Sequence, residues 1–140
     1  MAVPTYIRNH EAVVSFFGRW PSFHDANVLA YEQGADSISL TLHTWLMTDQ
    51  VDAKGYFVLR NHALVTLRFD GLSDVQMDAF ASGNILFGLQ MSLCSAPDSF
   101  HVELDSVMDR SGTFSARSGE VVSVISCASD GTAAEHPGEP

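Results

Sequence analysis

Basic residues are scarce in this chain. Seven Lys and Arg face 17 Asp and Glu across 140 residues, for a formal net charge of −10. Recognising nucleic acid through its phosphates needs a cluster of Lys and Arg, and none occurs, so a nucleic-acid partner is not expected. Long apolar runs are also missing. None approaches the roughly 18–20 residues of a membrane-spanning helix, so no membrane partner is expected. Residues 1–14 lack the basic segment followed by a long apolar one that marks a secretion signal. The expected location is therefore cytoplasmic. Cysteine is limited to Cys94 and Cys127, with no C-x-x-C pair. Two reduced thiols packed as small apolar groups are expected.

Catalytic signatures are equally sparse. No G-x-S-x-G elbow, G-x-G-x-x-G fingerprint or P-loop is present. Ser22 lies near His24 but not in an elbow, and neither Cys has a His close in sequence. Metal-dependent His-Asp phosphohydrolases share the dipeptide His24–Asp25, but they need further His and Asp ligands on several helices. This chain shows no such set of helices. No catalytic residue, metal or cofactor is expected on these grounds.

What is present is patterned apolar sequence. Hydrophobic residues make up 46% and charged residues 17%, which describes a globular chain. The length suits one domain, expected over residues 1–128. Residues 129–140 carry acids, no base and no large apolar side chain, and are expected to be a disordered acidic tail.

Val13, Val14, Phe16, Phe17 and Trp20 recur at helical spacing, which predicts a helix over residues 10–20. Asn9 is its candidate N-cap, and Gly18 and Pro21 weaken and end it. Residues 27–33 read as a strand, followed by a turn at 34–36. In residues 37–47 the alternation is clean. Ile38, Leu40, Leu42, Thr44 and Leu46 share one face, and His43 and Trp45 lie on the other. A polar loop is expected at 48–55, then strand up to residue 70 with a bend at Asn61 and a face of Ala63, Val65, Leu67 and Phe69. Ser73 as N-cap, with Val75, Met77 and Phe80, predicts a short second helix over residues 73–81. Ile85, Phe87, Leu89, Met91 and Leu93 should share a strand face. Phe100, Val102, Leu104 and Ser106 should face inward, with His101, Glu103 and Asp105 outward. Residues 113–117 and 120–127 should close the sheet as a hairpin through Ser118 and Gly119. The expectation is an α+β fold, a mainly antiparallel sheet of about seven strands with two helices.

The densest stretch is Trp20, Pro21, Ser22, Phe23, His24 and Asp25. Its large apolar side chains and fixed proline suit a helix-to-strand junction, with Asp25 accepting turn N–H groups and orienting His24. His24 joined to His43, His62 or His101 would instead suggest a metal site, and His43, His101, Glu103 and Asp105 could be neighbours on one outward face. The competing reading is a solvated polar face. The exposed aromatics Trp45 and Tyr56 are candidate anchors for a partner, and Glu103 and Asp105 are candidate rim charges.

Trp20, Pro21, Phe23, His24 and Asp25, after a short helix and before an alternating strand, resemble a motif of small bacterial immunity proteins of polymorphic toxin systems, the immunity protein 50 group. The resemblance is specific over about ten residues and implies a non-enzymatic inhibitor that binds a cognate protein toxin. It carries no site residue beyond the motif. The second reading is a small metal- or ligand-binding protein or hydrolase using the outward His, Asp and Glu. Uncovered sheet edges leave both monomer and homodimer open.

Overall fold

A computed structural model describes residues 4–77, 80, 83–94, 98–107 and 111–128, with the backbone alone described for 47–49 and 57–60. The acidic tail, residues 129–140, lies outside the described residues. The chain is mostly β, with one helix and two largely antiparallel sheets among the described residues.

The helix α1 spans His10–Phe17 and buries Val13 and Phe17. It ends earlier than the apolar spacing suggests, because Gly18 takes a left-handed conformation (φ 81°) and its N–H returns to Val14 O at 2.7 Å. Asn9 sits at the N-cap, but its side chain does not cap. Its Nδ2 donates to Val121 O at 3.0 Å and so ties the helix start to a distant strand.

Among the described residues nine strands stand where about seven were expected. They are β1 (Ile7–Arg8), β2 (Asn27–Gln33), β3 (Ser37–Val51), β4 (Phe57–Asp70), β5 (Ser73–Gln76), β6 (Leu86–Leu93), β7 (Phe100–Ser106), β8 (Gly112–Ala116) and β9 (Ser118–Ser126). One sheet has the order β1-β9-β4-β3-β2 and the other β5-β8-β7-β6. Only β1 with β9 is parallel among the described pairs.

The alternation in β3, β4 and β7 is confirmed. Ile38, Leu40 and Leu42, then Ala63, Val65, Leu67 and Phe69, and Phe100, Val102 and Leu104 are all buried in one core that draws on both sheets. Aromatic rings cross between the sheets. Phe69 of β4 lies 5.2 Å from Phe114 of β8 and 6.1 Å from Phe100 of β7. β3 runs on to Val51, so the polar loop is shorter than expected. Asn61 does bend β4, with φ 56° and a register shift opposite.

Three expectations are overturned. Ser73–Gln76 is a strand, not the start of a helix. Asp74 has φ 52°, outside the helical region, and Ser73 and Gln76 pair with Ser115 and Thr113 of β8. The unsatisfied edge of β8 outweighs the local helix signal, although Met77 and Phe80 still enter the core.

The expected hairpin of the last two strands does not form either. β8 and β9 lie in different sheets, and the chain crosses between them at Arg117, whose N–H bonds Asp70 O at 3.0 Å. Beside it, β4 passes into β5 through Gly71 and Leu72. Asp70 pairs with Ser118 and Ser73 with Ser115, so a single bent ladder links both sheets at this corner.

Finally, the run Ile85 to Leu93 keeps its face only in part. A bulge between Leu86 and Gly88 turns the strand, so Leu86 is buried and Phe87 (57%) exposed, whereas Leu89, Met91 and Leu93 stay opposite Leu104, Val102 and Phe100, with Leu93 (71%) exposed at the strand end.

Candidate functional site

The motif stretch forms the second seam between the sheets. Asp25 N–H bonds Leu86 O at 2.8 Å, Leu86 N–H bonds Ala26 O at 2.9 Å, and Leu89 N–H bonds Ser22 O at 3.2 Å. Val28 N–H continues the seam to the carbonyl of buried Asn84, whose Oδ1 accepts a 2.6 Å bond from Ser106 Oγ. Trp20 and Phe23 are buried beneath it, ring to ring at 5.7 Å in a T-shaped arrangement. Phe23 (φ 61°) and Asp25 (φ 67°) are both left-handed, and Ala26 N–H closes the turn on Phe23 O. A bulky side chain in that region is strained, and it persists because burial and three seam bonds over-determine the backbone.

The two polar side chains have different duties from those expected. Ser22 Oγ, not Asp25, accepts the His24 N–H, at 3.2 Å. His24 is oriented by Phe87 O, 2.8 Å from its Nδ1. A carbonyl only accepts, so Nδ1 carries the proton and Nε2 holds the lone pair in the neutral ring. Asp25 Oδ1 stands 3.6 Å from Nε2, and the imidazole stacks on exposed Phe87. Because His24 is itself more than half exposed, His24→Ala should lose this one hydrogen bond and cost about 1 kcal/mol. Urea denaturation checks this. A loss several times larger would show that the imidazole supports the seam.

Residues 19–24 face residues 44–46 of β3 across a cleft of about 360 Å³. Trp45, singled out as an exposed anchor, is thus a half-buried wall of a cleft formed with the motif. Its ring lies 4.9 Å from His43 and 5.5 Å from His62. His43 Nε2 and His62 Nδ1 are 3.0 Å apart, so one ring donates to the other. Burial lowers the His62 pKa and favours the neutral ring this bond requires. His43 is buried, not outward in solvent. The β3–β4 pairing makes this cluster, and the i, i+2 spacing of His43 and Trp45 was its one sequence signal. No family model, curated protein or solved structure matches the chain. The family resemblance therefore rests on the motif residues themselves.

The other candidates lie elsewhere. His101, Glu103 and Asp105 occupy the outer face of β7, in the second sheet, while His43 is on β3 in the first. The proposed single face of His43, His101, Glu103 and Asp105 does not exist, because the strands belong to opposite layers. Among the described residues no three His, Cys, Asp or Glu side chains come together to hold a metal. Cys94 and Cys127 are not joined by a disulfide.

On the β7 face, Glu103 is opposite Gln90 and Thr113, and His101 is opposite Ser92 and Ser115. A hydrogen bond with Asp105, and then its negative charge, raise the Glu103 pKa. The raised value means that the pair favours folding while the proton is shared, and that contribution is lost as pH rises through the carboxylate range. Tyr56 is exposed at the β3–β4 turn, where Asp52 Oδ1 accepts the N–H groups of Lys54 and Tyr56.

Proposed function

We propose that this chain is a non-enzymatic binding module of the immunity-protein kind, acting in the cytoplasm to neutralise a cognate protein toxin. The contact surface is the outer face of the second sheet. The observation that carries this reading is a charge asymmetry: β5, β6, β7 and β8 contain Asp74, Glu103 and Asp105, and no Lys or Arg. Above the carboxylate range Glu103 and Asp105 repel each other, an arrangement that a basic partner relieves. Such a face steers a cationic surface into contact and raises the association rate. The motif resemblance of Trp20, Pro21, Phe23, His24 and Asp25 supports the same function without adding a catalytic group.

The test is co-expression with the product of the neighbouring gene. The native chain should restore growth. The double variant Glu103→Lys/Asp105→Lys should fail to do so, and should associate at least about tenfold more slowly at low salt. Its thermal unfolding should stay close to that of the native chain, since both side chains lie on the outer face of β7 and neither belongs to the buried core. Unaltered association kinetics at low salt would sink the proposal.

A further inference from the structure

The cleft between residues 19–24 and 44–46 has a chemistry of its own. None of the side chains that line it is acidic, in a chain where acids outnumber bases 17 to 7. Arg19 is exposed at its edge and forms no ion pair among the described residues, whereas Arg8 pairs with Glu120 and Arg68 with Asp70. Asp25 is near, but its Oδ1 stands 3.6 Å from His24 Nε2 and it forms no ion pair with Arg19 among the described residues. We propose that this cleft binds a small aromatic carboxylate, whose charge pairs with Arg19 and whose ring stacks on Trp45. The site shares no residue with the acidic face of the second sheet, so the two proposals stand or fall separately.

Four features fit this ligand class. A guanidinium presents a planar fork of N–H donors that matches a carboxylate with two parallel bonds. The floor beneath it is fixed, since Trp20, Pro21 and Phe23 are buried and the backbone there is pinned to β6. Trp45 keeps part of its surface exposed and packs against the rings of His43 and His62. A ring already held in place costs little ordering when a ligand stacks on it. The volume, about 360 Å³, falls in the range of small-molecule sites and accommodates one aromatic acid.

The overall charge narrows the class further. A net charge of −10 repels anions at long range, and a multiply charged phosphate or nucleotide feels that field more than a monoanion does. A single Arg offsets one charge. A monocarboxylate with an apolar ring therefore suits the cleft better than a polyanion.

The probe is benzoate, with benzamide as its neutral counterpart and benzamidine as a cation of the same shape. The full chain has two tryptophans, so indole N–H resonances report the site directly, with Trp45 assigned from Trp45→Phe. Benzoate should move the Trp45 resonance saturably at millimolar concentration, and the other two probes should not. Arg19→Gln should weaken benzoate by about tenfold or more while leaving the folded spectrum intact. Arg19→Glu should transfer the preference to benzamidine. A benzoate titration without saturation, an equal response to benzamide, or undiminished benzoate binding by Arg19→Gln would each overturn the proposal.

Discussion

Phe69→Ala is expected to remove about 4 kcal/mol of folding stability, the largest single loss in this chain. Phe69 is 1% exposed on β4 and meets Phe114 and Phe100 of the opposite sheet. Those rings are a principal contact between the layers. Truncation forfeits the burial of an aromatic side chain and leaves a void that surrounding strands cannot fill, since each is held in register on both sides. Packing is tight at this point: a Cβ added to Gly119 would stand 3.1 Å from Phe69 Cδ1. Guanidinium denaturation with an unchanged m-value would report the loss. A cost near that of a surface substitution would mean that the two sheets do not share this core.

Gly71→Ala is the second large effect, expected to cost about 3 kcal/mol. Two causes add. Gly71 has φ +69°, where an L side chain is strained by about 1–2 kcal/mol. A Cβ there would also stand 2.8 Å from Arg117 Cβ and 2.9 Å from its Cγ. This is the corner where both strands of the bent ladder change sheets, so neither can yield without disturbing pairing on both sides. The causes are separable. In Gly71→Ala/Arg117→Gly the collision disappears and the backbone strain remains, so the double variant should recover part of the stability lost by the single one. Gly55 provides the comparison, with φ +89° and nothing within 4 Å of an added Cβ. Gly55→Ala should show the strain alone. Equal stability of Gly71→Ala and Gly55→Ala would refute the close approach at the corner.

The candidate site was legible in pieces. The motif was visible as a junction because Trp20, Pro21 and Phe23 concentrate apolar surface and a fixed φ in four residues. Trp45 was visible as an aromatic on the less apolar face of β3. That the two line one cleft was not legible, since they are brought together by the antiparallel backbone pairing of β2 with β3, which sets Asn27 opposite His43. Backbone bonds carry no side-chain signature. The orientation of His24 was only partly legible for the same reason: its hydrogen-bond partner is a carbonyl 63 positions away, while the carboxylate beside it stands 3.6 Å from the other ring nitrogen.

Local pattern by itself determined the strands at Asn27–Gln33 and Phe100–Ser106, the inward faces of β3 and β4, and a helix beginning at His10, though not its end at Phe17. Periods of two and 3.6 residues arise from the geometry of each segment alone, so they survive without knowledge of any neighbour. The tertiary structure decided which strands share a sheet, where the ladder bends, and the fate of Ser73–Gln76. Those outcomes depend on edges and corners that exist only once distant strands have met. An open edge on β8 recruited a segment with helical signals, and a corner at Gly71 and Arg117 turned an expected hairpin into a crossing between layers.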